Sequence, residues 1–253
     1  MKSPLEEQLE KLGWQETANQ LNDILENASK NNVSYFDFLY TIVLRESEIR
    51  QTNLLSKRMR SAKLPYMKTV HDFDYTFQPS INEQRVKETM TCRYISNGEN
   101  RILLGPPGVG KTHLAIAFAI EALTQGYTAL FLTADEVVSE CRKAEARGTL
   151  NRLVNKWSRP DLLIIDEVGY FPFDELTANV FFQVVSKRYE SGAMVLTSNK
   201  SFIEWGKVFG DDVLATAILD RLLHHSVTFS IKGDSYRLKE KKKAGIIPAN
   251  LTR

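Results

Sequence analysis

Leu5, Leu9, Leu12, Leu21 and Leu25 recur at helical spacing among charged residues, which predicts an amphipathic helix ending near the polar run Asn27 to Asn32. Ser34, with Asp37 three residues on, resembles a capping box, and Phe38, Leu39, Ile42 and Val43 would form the buried stripe of the helix it opens. From Arg45 to Lys68 the chain turns basic, with seven Lys or Arg against Glu46 and Glu48, and Pro65 ends the helical pattern. No convincing strand occurs there, so residues 1–68 are expected to form a small all-helical domain.

From residue 69 to 253 the pattern changes to strands alternating with helices. Short apolar runs at Arg101 to Leu104, Ala129 to Thr133, Leu162 to Ile165 and Met194 to Thr197 predict strands. Helical stretches lie between them: His113 to Thr124, Asp135 to Trp157 with a break at Gly148, and Leu176 to Glu190. This order predicts an α/β fold with a parallel sheet flanked by helices on both faces. A net charge of +2, from 33 basic and 31 acidic residues, means that any nucleic-acid surface must arise from local charge placement. Cys92 and Cys141 are too far apart to suggest a metal-ligand pair. The N-terminal stretch lacks the apolar core of a signal peptide, and no run approaches the roughly 18 apolar residues of a membrane span. A cytoplasmic protein is expected.

The segment Gly105, Pro106, Pro107, Gly108, Val109, Gly110, Lys111 and Thr112 reads GPPGVGKT between a strand and a helix that His113 continues. Glycines there let backbone N–H groups converge on phosphates, and the helix adds its positive N-terminal end. Residues 105–113 are therefore candidate ATP contacts, with Lys111 reaching the β- and γ-phosphates and Thr112 holding Mg²⁺. The strand LLIIDE delivers Asp166 and Glu167 at the sheet edge where ligands of parallel sheets bind. Asp166 suits Mg²⁺ and Glu167 suits polarisation of an attacking water, an arrangement for ATP hydrolysis. Asn199, after the strand MVLT, is either a turn residue or an amide that senses the γ-phosphate. Arg221, after an apolar helical run, and Arg237, after Gly233, Asp234 and Ser235, read as surface ion pairs or as contacts to nucleotide, Arg221 in trans and Arg237 in cis.

GPPGVGKTHLA, LLIIDEVGYFPFD, RYESGAMVLTSN, FIEWGKVFGDDVLATAILDRLLHH and KGDSYRLKEKK together resemble the IstB-type transposition helper ATPases, relatives of the DnaC helicase loaders in the AAA+ superfamily. The resemblance spans about residues 70 to 243. It implies an AAA+ P-loop NTPase fold in which ATP sits between adjacent subunits of a homo-oligomer. It further implies Asn199 as first sensor, Arg221 as arginine finger and Arg237 as second sensor.

Arg142, Lys143, Arg147, Arg152, Lys156 and Arg159, against Glu140 and Glu145, form a basic helical stretch that either tracks DNA phosphates or is a solvated face. In the resembled clade this place carries a helical insertion lining the DNA path. The cluster Lys239, Lys241, Lys242 and Lys243 is a second phosphate contact or a solubilising tail, and the basic run in residues 50–63 is a surface for DNA or a protein. Without a base-reading motif, binding should be largely sequence-nonspecific. Trp14, Trp157 and Trp205 read as core or hinge residues, and Arg188 as a trans contact or a structural ion pair. The expected function is ATP-dependent assembly on duplex DNA and delivery of that target to a transposase, with hydrolysis resetting the assembly. A replicative helicase loader is the alternative. A metabolic P-loop kinase fits less well, since no arginine-rich acceptor lid is evident.

Overall fold

The computed structural model describes residues 2–243, with side chains described through Lys239. The chain divides into two compact units, Met1–Lys57 and Arg58–Arg253. The first begins with three short helices, α1 (Pro4–Lys11), α2 (Gln15–Asn19) and α3 (Leu21–Lys30), where the leucine spacing predicts one. The second break falls at Gln20, and Gly13 causes the first. Its φ of 78° lets Trp14 N–H bond Leu9 C=O at 2.9 Å, a closure typical of helix C-termini that stops the helix before the periodicity does.

Helix α4 (Tyr35–Ser61) opens on the expected cap, with Ser34 Oγ accepting from Asp37 N–H at 3.1 Å and donating to its carboxylate at 2.6 Å. The predicted buried stripe does not form: of Phe38, Leu39, Ile42 and Val43 only Ile42 is buried, while Leu39, Val43 and their neighbours Tyr35 and Phe36 are exposed. Burial in this helix is confined to Ile42 and Glu46, one turn apart, and Glu46 is satisfied by Thr17 Oγ1 at 3.1 Å and Arg50 at 3.1 Å. The helix ends at Ser61, ahead of Pro65, and the buried Ala62 accepts Phe131 N–H at 2.8 Å. That bond ties the chain into the second unit well before residue 68.

In the second unit α5 (Glu83–Met90) and α6 (Arg93–Ser96) precede β1 (Asn100–Leu104) and α7 (Lys111–Thr124). Next come β2 (Ala129–Thr133), α8 (Ala134–Ala146), α9 (Leu150–Ser158), β3 (Leu162–Val168), α10 (Glu175–Arg188) and β4 (Ala193–Ser198). Helices α11 (Trp205–Phe209) and α12 (Asp212–His224), strand β5 (Ser226–Ser230) and α13 (Tyr236–Lys243) complete it. Gly148, at φ 61°, separates α8 from α9 as its position predicts. The five strands among the described residues are parallel, in the order β2-β3-β4-β1-β5. Ile102, Leu163, Ile165 and Leu196 join a core built with α8 to α12, in which Trp157 and Trp205 are fully buried. The alternate positions Leu103, Ile164 and Val195 are buried too, and α7 packs against β1 to β4. Strand β5 escapes the sequence pattern because only Phe229 in it is buried, as suits a short edge strand. No helix among the described residues is long and apolar enough to cross a membrane. Both cysteines are free and buried.

Arg188 is too deeply buried for a trans contact and has no ion-pair partner among the described residues. Its side chain is buried, and its guanidinium donates to the carbonyls of Trp157, Pro160, Asp161 and Ala193 at 2.7–3.3 Å. Burial pulls its pKa down to about 10, so it stays charged at neutral pH. The cation thus joins the end of α9 and the starts of β3 and β4. Arg188→Ala removes the donor these carbonyls share, of which Asp161 C=O alone keeps a further bond, from Ala193 N–H, among those described, and should cost at least ~3 kcal/mol, read as a lower urea midpoint, and Arg188→Lys, lacking the planar fork, should recover only part of it.

Candidate nucleotide site

Parallel strands bring their C-terminal ends to one edge, where β1 leads into the glycine-rich loop, β3 carries two acids near its end and β4 ends in Ser198, with Asn199 following. Two loop glycines are required by close approach as well as by positive φ. A Cβ on Gly108 (φ 81°) would lie 2.1 Å from Ser235 Oγ, and one on Gly110 (φ 100°) would lie 2.6 Å from the Phe73 ring. The loop is thereby clasped by a segment before β1 and by the start of α13, whose Tyr236 N–H bonds Gly108 C=O at 2.9 Å.

Pro107, Gly108, Val109, Gly110, Lys111, Thr112 and His113 line a cleft together with Glu167, Thr197, Asn199 and Arg237. Gly105 and Pro106 are not among its lining residues; their carbonyls accept Lys111 Nζ, each at 2.8 Å. Burial pulls the Lys111 ammonium below the usual lysine range, against the opposing pull of Asp166 and Glu167. His113 turns its Nε2 to Thr69 C=O at 2.8 Å and sets its ring edge-on to Phe73.

The acids sit on a bulge. Ile165 pairs with Leu196 and Val168 with Ser198, so Asp166 and Glu167 together face Thr197. Glu167 takes φ 64°, which turns it out of the strand and into the cleft wall. Thr197 Oγ1 secures this turn by accepting Glu167 N–H at 2.9 Å and donating to Asp166 Oδ1 at 2.5 Å. Thr112 Oγ1 lies 2.9 and 3.0 Å from the two oxygens of Asp166. Burial raises the Asp166 pKa, while the two threonine hydroxyls, Lys111 and Arg237 pull it back. The carboxylate and the two hydroxyls are hard oxygen donors, the kind Mg²⁺ takes. Asn199 Oδ1 is buried and has no hydrogen-bond partner among the described residues.

Arg237, on α13, shares the cleft, but Arg221 does not. Arg221 lies near the end of α12, its guanidinium 4.9 Å from the Phe182 ring and bonded to Ala217 C=O at 3.1 Å. Tyr66, Phe73, Gln78, Tyr170 and Tyr236 also line the cleft, and sequence reasoning missed them. Most of these residues lie in irregular segments without periodicity, although the aromatic run Phe73, Tyr75 and Phe77 ahead of β1 was a usable signal. Gln78 is buried, and its Nε2 donates to Asp234 C=O at 3.0 Å.

Elsewhere, Arg142 pairs with Asp174 at 3.1 Å and Lys156 with Glu140 at 2.8 Å, so part of the expected basic stripe is neutralised. Lys143, Arg147 and Arg152 are exposed and have no ion-pair partner among the described residues. Lys239 pairs with Asp74 at 3.2 Å and lies 4.1 Å from the Phe77 ring, a structural attachment. The side chains of Lys241, Lys242 and Lys243 lie outside the described residues.

Residues 7–244 match the family described as IstB-like ATP binding protein. The chain is 45% identical over 242 residues to the ATP-binding protein of insertion sequence IS5376 from Geobacillus stearothermophilus, covering 96% of each chain. It is 44% identical over 248 residues to that of insertion sequence IS21 from Pseudomonas aeruginosa, covering 98% of this chain and 94% of the other. Among solved structures, the replication initiator DnaA bound to AMPPCP and single-stranded DNA matches with a TM-score of 0.57 and 25% identity, over 75% of this chain and 58% of that one. DnaI matches with a TM-score of 0.56 and 20% identity, over 65% of this chain and 90% of that one.

A carboxyl whose folded pKa is raised binds protons more readily in the folded state than in the unfolded one. Its contribution favours folding at low pH and is lost as pH rises through the folded pKa. Asp166→Asn should therefore melt above the wild type at about pH 7 without nucleotide or Mg²⁺, and the gap should close as pH falls towards about 4, as thermal melts at a series of pH values would show.

Proposed function

The chain belongs to the IstB-like ATP binding protein family, and from that membership we propose a DNA-binding AAA+ ATPase that assists transposition. It assembles on duplex target DNA with ATP between its subunits, delivers that DNA to a transposase, and is reset by hydrolysis. The observation that carries the ATPase is the bulge of β3, which puts Glu167 in the wall of the phosphate-loop cleft while Asp166 stays beside Thr112. Near-full-length similarity to insertion-sequence proteins favours transposition over helicase loading.

The loop amides and Lys111 bind and orient the ATP phosphates, and Lys111 exchanges its carbonyl partners for phosphoryl oxygens. Thr112 and Asp166 would hold Mg²⁺, which supplies charge neutralisation on the phosphoryl oxygens when bound. Glu167 takes the proton of the attacking water. The unpaired amide oxygen of Asn199, just past β4, orients that water. Arg237 contacts the γ-phosphate in cis. Arg221, absent from its own cleft and near the end of α12, serves the site of an adjacent subunit. Lys143, Arg147 and Arg152 flank the turn between α8 and α9 and contact DNA phosphates. DNA contact also has a parallel in the matched DnaA structure, which holds single-stranded DNA.

Glu167→Gln should keep ATP-dependent DNA binding and lose turnover, and Arg221→Ala should bind ATP normally yet hydrolyse it at least ~10³-fold more slowly. Mixing the two inactive variants should restore part of the phosphate release, because an intact Glu167 then meets an intact Arg221. No recovery on mixing would place Arg221 outside the neighbour's site. Replacing Lys143, Arg147 and Arg152 by Ala should weaken binding equally across DNA sequences and flatten the slope of log affinity against log salt by up to ~0.9 per lost phosphate contact. Fluorescence anisotropy at several salt concentrations reads this out, with Arg142→Ala, whose charge is already paired, changing the slope less.

A further inference from the structure

The turn after α10 and the end of α12 bring Glu190, His224 and His225 together on the surface, one ligand atom of each within 4.8 Å of the others. Among the described residues no other three His, Cys, Asp or Glu side chains converge so closely. Successive side chains ordinarily diverge. Here His224 closes the helix while His225 takes φ −124° and ψ 77°, and the two rings stand 4.2 Å apart at 64°. Glu190 takes φ 57°, a conformation few residues other than glycine adopt. Its turn is fixed by Ser191 and Gly192, whose N–H groups both bond Arg188 C=O at 3.0 Å, next to the buried Arg188 guanidinium.

The spacing suits coordination. His225 Nε2 lies 3.6 Å from Glu190 Oε1, and two ligands of a tetrahedral Zn²⁺ with bonds of roughly 2.0–2.1 Å stand about 3.4 Å apart. Tyr189 Oη lies 2.8 Å from His224 Nδ1. In the tautomer protonated at Nδ1, His224 donates to that oxygen and keeps a lone pair on Nε2, the arrangement by which outer partners orient metal-binding histidines. None of these residues lines the nucleotide cleft.

We propose that Glu190, His224 and His225 form a site for a first-row transition-metal ion, Zn²⁺ foremost, oriented by Tyr189 and leaving the fourth tetrahedral position to water. The ion ties the turn after α10 to the end of α12, one helical turn beyond Arg221. This assignment does not depend on the function proposed for the nucleotide cleft.

The test is titration of the untagged full chain with Co²⁺, followed by visible d–d absorption, and then displacement by Zn²⁺ in competition with a chromophoric chelator. One equivalent should bind. His224→Ala, His225→Ala and Glu190→Gln should each weaken it at least ~10-fold, and Tyr189→Phe about 10-fold, with circular dichroism unchanged because all four side chains lie at the surface. Failure to saturate at one equivalent, or an unchanged affinity in any of the three ligand variants, overturns the assignment.

Discussion

Thr197 Oγ1 closes the bulge in β3 by accepting the amide of Glu167, and the same hydroxyl steadies the buried carboxylate of Asp166. Two requirements meet there. A carboxylate in the interior must be paired or hydrogen-bonded to remain ionised, and a non-glycine residue with positive φ costs roughly 1–2 kcal/mol unless its surroundings hold it. Strand β4 meets both with one side chain. Were β3 regular, consecutive residues would point to opposite faces of the sheet, and Asp166 and Glu167 would not serve one cleft. The bulge is what converts two neighbours in sequence into two neighbours in chemistry.

The cleft is assembled from parts far apart in the chain. The loop after β1 supplies its floor, the irregular segment ahead of α5 supplies Phe73 and Gln78, and the start of α13 supplies Tyr236 and Arg237. Hydrogen bonds from Gln78 to Asp234 and from Tyr236 to Gly108, with the contact of Phe73 on Gly110, make these three regions one body. Glycine at positions 108 and 110 therefore serves packing against the rest of the protein as much as phosphate approach.

Where burial and periodicity agree, the sequence was legible. Strands β1 to β4, the break at Gly148 and the phosphate loop all fall where the residues predict. The bulge was hidden because nothing in LLIIDEV marks an extra residue; Thr197, which demands it, is thirty residues away. Arg188 read as a trans contact or a structural ion pair because a buried arginine is ordinarily paired with an acid, whereas here the convergence of four backbone carbonyls makes its burial tolerable. The N-terminal leucines kept helical spacing across a glycine that ends the helix, so periodicity outlasted the element it describes. Tyr66, Phe73 and Gln78 lie where there is no regular structure from which to infer a facing direction.

The strand order also sets a timetable for synthesis. Strand β1 is made first, yet it finishes between β4 and β5, whose residues begin at Ala193 and Ser226. At about 5–20 residues per second, a ribosome needs on the order of 5–20 s to reach β4 after β1 has left the decoding centre. During that interval the apolar strand that launches the phosphate loop has neither of its sheet neighbours. The nascent chain must therefore keep β1 from pairing with a wrong edge until β4 and β5 appear, and the nucleotide cleft cannot close before α13 has been made.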